Sequence, residues 1–226
     1  MSIYYQDEHV TLWHGDCREV TGWLDADVLV TDPPYGRAWR QGVLKGHHTD
    51  NLNGIANDHS TGVRDDVLTL WGDRPTACFG DLMLPPPVGT KQVLIYRKPS
   101  NAGLRGAMAR FRRDAEAVYL LGEGLGSGIG GESSVLTTGA TKVGSGEGLG
   151  GRTGHPNEKP LDVLHQIIEH LPHGVVADPF AGSGSTLLAA RNMGRRALGV
   201  ELEERYCEVI AGRLSQGAFD FGEVTA

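Results

Sequence analysis

Seven short apolar segments alternate with amphipathic ones, and no other feature of the sequence limits the fold as much. The apolar segments are HVTLWHG (9–15), ADVLVTD (26–32), TACFG (76–80), QVLIYR (92–97), EAVYLLG (116–122), GVVADPF (174–180) and RALGVEL (196–202). Candidate helices lie at 62–73, about 102–113, 161–171, 184–194 and 203–215. Leu161, Leu164, Ile167, Ile168 and Leu171 show the helical spacing most clearly. Strands alternating with helices predict an α/β fold, a doubly wound and mostly parallel sheet with helices on both faces. Ligands of such sheets bind at the carboxyl ends of the strands. With 226 residues, 39 % of them hydrophobic, the chain suits one domain spanning 1–226. Two stretches lack periodicity: 36–61, which is polar, and 122–154, which is Gly-rich and compatible with a linker or with a loop over a site.

Composition narrows the setting. Cys17, Cys78 and Cys207 are odd in number and widely spaced, which argues against a disulfide framework or a zinc site and fits a reducing cytoplasm. The first residues, MSIYYQDEHV, lack the basic and apolar regions of a signal peptide. No apolar run is long enough to span a membrane. Net charge is −7, yet the cations are grouped. The segment 91–113 holds Lys91, Arg97, Lys98, Arg105, Arg110, Arg112 and Arg113 and no acid; the segment 37–48 adds Arg37, Arg40 and Lys45. An acidic molecule can still turn a basic face to phosphates, and ordinary solvated surface charge accounts for such segments equally well.

Four turns carry candidate chemistry. In VVADPFAGSGSTLLAARNMG (175–194), Asp178 ends a strand, Gly182 and Gly184 allow a tight turn, and a helix opens near Ser185. Glu201 ends the next strand about 20 residues on, the place of a ribose-binding acid in nucleotide sites. The glycines match neither GxGxxG nor a phosphate loop, so a smaller adenosine ligand is favoured over a dinucleotide or triphosphate. Asp16 in WHGDC stands past another strand, either as a simple turn residue or as an acceptor for an adenine amino group. In HPNEKP (155–160), Pro160 is a natural first-turn residue of the helix that follows, and Lys159 could hold the carboxylate of an amino-acid-like ligand. The fourth turn is the end of VLVTDPPYGRAW (28–39), where two prolines stop an apolar strand just after Asp32.

Together DPPYG, DPFAGSGS, GVELEERY and HPNEKP resemble the S-adenosylmethionine-dependent amino-methyltransferases of DNA. Their order, with DPPYG first and the cofactor loop last, resembles the β group of these enzymes. The resemblance spans about 9–215 and implies a seven-stranded sheet, an S-adenosylmethionine cofactor, a double-stranded DNA partner and no metal. It implies that Asp178, Pro179, Phe180, Ala181, Gly182, Ser183, Gly184 and Ser185 surround the methionine end of the cofactor. It also implies that Glu201 binds the ribose, that Leu202 flanks the adenine, and that Asp16 with Cys17 meets the adenine edge. Ser185 stands where Thr is common and is expected to cap the helix. The slot for a target-recognition region holds only the Gly-rich stretch 122–154. A homodimer is compatible with the family and with a chain short for DNA recognition. The setting implied is the cytoplasm of a bacterial or phage-infected cell.

At the opening motif, the resemblance makes Asp32, Pro33, Pro34 and Tyr35 the catalytic element. Asp32 and the Pro33 carbonyl can each accept one N–H of an exocyclic amine, and the prolines fix the direction of that carbonyl. Tyr35 offers a face for stacking a base taken out of the duplex. DPPY leans toward adenine N6. The alternatives are cytosine N4, an RNA amine, or a catalytically silent nucleic-acid-binding subunit. No cysteine follows a proline, which argues against attack on cytosine C5. Arg37, Arg40, Lys45, Arg97, Lys98 and Arg105 are the candidate phosphate contacts.

Overall fold

The computed structural model describes residues 2–37, 58–99, 102, 108–127, 131–139 and 158–217. Its strands are β1 (Ser2–Gln6), β2 (Val10–His14), β3 (Val28–Thr31), β4 (Thr76–Gly80), β5 (Gln92–Arg97), β6 (Ala115–Leu121), β7 (Val135–Thr137), β8 (Val176–Asp178) and β9 (Ala197–Glu201). The helices are α1 (Gly62–Trp71), α2 (Leu161–Glu169), α3 (Ser185–Asn192) and α4 (Glu204–Gly217). The strands form one sheet in the order β1-β2-β9-β8-β3-β4-β6-β5-β7.

Five neighbouring strands, β2, β9, β8, β3 and β4, run parallel. β3 lies at their heart, and each of its residues is buried. Its β-branched Val28, Val30 and Thr31 suit a strand covered on both faces. Val28 and Val30 pack with Val163, Leu164, Leu187 and Ile210 of three helices, whereas Leu29 packs on the opposite side with Trp23, Val67 and Trp71. Helices therefore cover both faces. β6 reverses direction against β4, and β5 reverses again.

Two strands exceed the seven expected. β1 pairs antiparallel with β2 at one edge, and the three-residue β7 pairs parallel with β5 at the other. β7 sits within the Gly-rich stretch, where so short a run of VLT carries little period-two signal. The helix expected over about 102–113 is a second correction. Met108 and Phe111 form an isolated antiparallel bridge, and Ala109 and Arg110 between them have φ of 50° and 68°, outside the helical region. No helix among the described residues is long and apolar enough to cross a membrane. Cys17, Cys78 and Cys207 are buried and free.

Candidate active site

Because the five central strands are parallel, their carboxyl ends share one edge of the sheet. An acid stands at each end: Asp16 after β2, Asp32 after β3, Asp81 after β4, Asp178 closing β8 and Glu201 closing β9. All five line one cavity of about 400 Å³, a volume within the ~300–1,000 Å³ usual for small-molecule sites. β6 runs the other way, so its amino end brings Glu116 to the same edge, and Lys98 arrives after β5.

At one end of the cavity, Tyr35 donates its hydroxyl to Asp32 Oδ1 at 2.7 Å. Lys159 Nζ donates to Asp32 Oδ2 at 2.5 Å and lies 3.3 Å from Glu116 Oε2. Lys98 pairs with Glu116 Oε1 at 2.5 Å. Burial pushes the Asp32 carboxyl above its usual range, against the pull of Lys159. Burial also acts upward on Glu116, but Lys159 and Lys98 together hold it below. Burial opposes the charge on Lys159, and its two carboxylates more than offset this and raise its pKa. Lys159 is fixed from outside the cluster, since its neighbour Glu158 pairs with Arg213 of α4 at 2.8 Å.

At the other end, Glu201 accepts the Gly182 N–H at 2.7 Å and the Glu203 N–H at 2.8 Å. Burial pushes its carboxyl up to about 7. Asp178 accepts from Thr31 Oγ1 at 2.8 Å and from the Phe180 N–H at 3.1 Å, and burial pushes it up to about 6. Gly184 precedes α3 with φ +79°, and a Cβ there would lie 2.9 Å from Ile210 Cγ1. The turn thus needs glycine for both its conformation and its space.

A family model described as DNA methylase matches residues 132–212. An Escherichia coli protein named "Putative methylase YubD" is 32 % identical over 209 residues, covering 85 % of this chain and 84 % of its own. The chain belongs to the DNA methylase family. This family comprises amino-methyltransferases acting at adenine N6 or cytosine N4, and it depends on S-adenosylmethionine. The Streptomyces caespitosus type II methyltransferase M.ScaI is 42 % identical over 69 residues, 30 % of the methylase and 23 % of that enzyme. Two solved structures share the fold. The M1.HpyAVI–SAM complex has a TM-score of 0.66 at 19 % identity, covering 91 % of the methylase and 98 % of that chain. The cytosine-N4-specific PvuII DNA methyltransferase has a TM-score of 0.65 at 14 % identity, covering 99 % and 90 %.

The methylase's cavity suits the family's cofactor. Eight carboxylates and four cationic side chains line it, and the carboxylates are acceptors fit for ligand hydroxyls and cationic centres. The opening turn of α3 adds free N–H groups for a ligand carboxylate. Most sequence-predicted residues meet here: Asp16, Cys17, Asp32, Pro33, Pro34, Tyr35, Arg37, Lys98, Lys159, Glu201, Leu202, and 178–183 with Ser185 all line the cavity. Gly184 and Arg97 do not, and Arg40, Lys45 and Arg105 lie outside the described residues.

Several expectations change. Lys159, expected to hold a ligand carboxylate, is already engaged by Asp32 and Glu116. Ser185 does not cap α3; Gly184 takes that position, and the Ser185 hydroxyl lies 3.1 Å from Ser183 Oγ. Pro160 is the N-cap of α2, not a residue of its first turn. Both oxygens of Asp16 accept from the Arg18 side chain, at 3.0 and 2.6 Å. Two presumed phosphate contacts have acidic partners, Arg37 with Asp81 and Lys98 with Glu116. Sequence reasoning misses Asp81, which follows β4, and Glu116. Glu116 is the one acid within β6, an otherwise uncharged strand, and that was its only signal.

Proposed function

We propose that the methylase transfers the methyl group of S-adenosylmethionine to the N6 amine of adenine in a base flipped out of duplex DNA. The observation supporting this is a single cavity with Asp32–Tyr35 at one end and Glu201 with the Gly182 loop at the other. The cofactor, when bound, supplies an electrophilic methyl group on a sulfonium. Glu201 accepts its ribose hydroxyls, Asp16 and Cys17 lie at the adenine edge, and Leu202 flanks the ring. The residues 178–185 and the start of α3 surround the methionine end.

Asp32 and the Pro33 carbonyl accept the two N–H groups of the target amine and so direct its lone pair. Such alignment is worth on the order of 7–11 kcal/mol in well-oriented cases. Tyr35 and Lys159 hold the two Asp32 oxygens in place while leaving lone pairs for the amine. Asp32 then takes the surplus proton, a role favoured by the burial that raises its pKa. Arg37, Arg97 and Lys98 contact phosphates, with Arg37 and Lys98 exchanging their carboxylate partners for DNA. The whole chain is one domain that acts in the cytoplasm, as a homodimer.

Tritiated methyl transfer to DNA and RNA, followed by nucleoside analysis, tests the reading. N6-methyladenine in duplex DNA is expected. N4-methylcytosine would overturn the choice of base; it is the second reading, because the same acceptors can hold either amine and the PvuII enzyme shares the fold.

Cofactor affinity should depend on pH. Hydroxyl donors favour ionised Glu201, whose carboxyl sits at about 7 without ligand. Affinity should therefore rise as pH increases toward about 7 and level off above it. Calorimetric titration across this range measures it, and Glu201→Gln should flatten the profile. A flat profile in the unmodified protein would remove Glu201 from the ribose site.

A further inference from the structure

Two strongly exposed apolar side chains near the cavity belong to one tight turn. Met108 and Phe111 are 72 % and 80 % exposed. Their backbones exchange two hydrogen bonds, Met108 N–H to Phe111 O at 3.0 Å and Phe111 N–H to Met108 O at 2.9 Å. Ala109 and Arg110, between them, are both left-handed, a geometry that turns of this kind usually give to Asn and Gly. One exposed apolar residue is ordinary. Two at the ends of one strained turn, each turned to solvent, are less so.

The turn's position gives it a use. Arg113 and Ala115 line the cavity, and β6 begins at Ala115. Phe111 is two residues before Arg113, so it lies within about 7 Å of that residue along the chain. The base of the turn is stitched to β5, since the Lys98 N–H donates to Asp114 O at 2.8 Å. Arg112 pairs with Asp114 at 3.2 Å, while Arg110 and Arg113 are exposed beside the apolar pair. An apolar tip between cations fits a partner whose phosphates flank a stack of flat rings, which is duplex DNA.

We propose that Met108 and Phe111 form a wedge that enters the duplex beside the cavity and fills the space left by the target base. The flipped base opens a gap of about 3.4 Å, the rise of one base, which matches the thickness of a phenyl ring. Arg110 and Arg113 hold the phosphates on either side. This rests on the DNA reading given above.

The test uses the full chain and duplexes of its methylated sequence, once that sequence has been mapped on unmethylated DNA. One duplex is fully paired; the other carries an abasic position opposite the target base. Single-turnover transfer is compared for the unmodified protein, Phe111→Ala and Phe111→Trp, with S-adenosylmethionine affinity as the check on folding. Phe111→Ala should slow transfer to the paired duplex by at least about tenfold. It should lose most of that defect on the abasic duplex and keep its cofactor affinity, and Phe111→Trp should stay near the unmodified rate. Equal loss on both duplexes, or none on the paired one, overturns the wedge. Sedimentation showing a dimer that Phe111→Ala converts to a monomer assigns the turn to a second copy and also overturns it. Failure of the unmodified protein on every DNA overturns the DNA reading instead.

Discussion

Asp32→Ala should reduce methyl transfer by about 10²–10⁴-fold or more while leaving cofactor affinity nearly unchanged. The separation follows from the geometry. Asp32 ends β3, whereas the acid assigned to the ribose, Glu201, ends β9, and β8 lies between those two strands. The substitution removes one of two acceptors for the target amine and the nearest base for its surplus proton. It does not strand a buried charge, because Lys159 keeps Glu116 at 3.3 Å. The fold should therefore survive, and thermal melting provides the check. Asp32→Asn, which keeps one acceptor, should lose less than alanine. Equal loss of transfer and cofactor binding would show that Asp32 belongs to the cofactor site.

Glu116→Gln should lower stability more than any other single change at the site. Glu116 is 8 % exposed and faces two ammonium groups, Lys98 at 2.5 Å and Lys159 at 3.3 Å. Glutamine keeps the shape and removes the charge, leaving Lys159 to Asp32 alone and taking from Lys98 the carboxylate it pairs with. Breaking such a buried pair typically costs about 3–5 kcal/mol, or roughly 6–20 °C in Tm for a domain of this size. The pH dependence has a definite sign. The folded Glu116 carboxyl lies below its ordinary value of 4.5, so its contribution is complete above about pH 4.5 and is lost as pH falls through the lower folded value. The Tm gap between the two proteins should be full at neutral pH and close in acid. Calorimetry at several pH values measures it, and an unchanged gap would mean that Glu116 does not carry the charge on which Lys159 depends.

The parts of the site that were legible share one property: each follows an apolar run. Asp32, Asp178 and Glu201 all close strands in their sequence segments, and parallel strands bring such ends together. Glu116 was hidden because it opens a strand. A sequence shows that 116–122 is a strand but not that β6 runs antiparallel to β4, which alone turns its first residues toward the cavity. HPNEKP does not show where Lys159 points, since its direction is set by the Glu158–Arg213 pair and by acids from the end of β3 and from β6. Nor does the sequence show the partners of the basic segments without ligand, since Arg37 and Lys98 pair with acids distant in the chain. The segment 102–113 has apolar residues at compatible spacing, yet Ala109 and Arg110 leave the helical region to close a turn.

The proposed reaction requires one cavity that brings a methyl donor to the Asp32 end of the sheet. A crystal structure of the methylase with S-adenosylmethionine tests it most directly. The ribose hydroxyls should lie on Glu201 and the sulfonium methyl within about 6 Å of the Asp32 carboxylate, the reach of one hydrogen bond plus one near-attack contact. A cofactor seated away from Glu201, or with its methyl group turned away from Asp32, would contradict it.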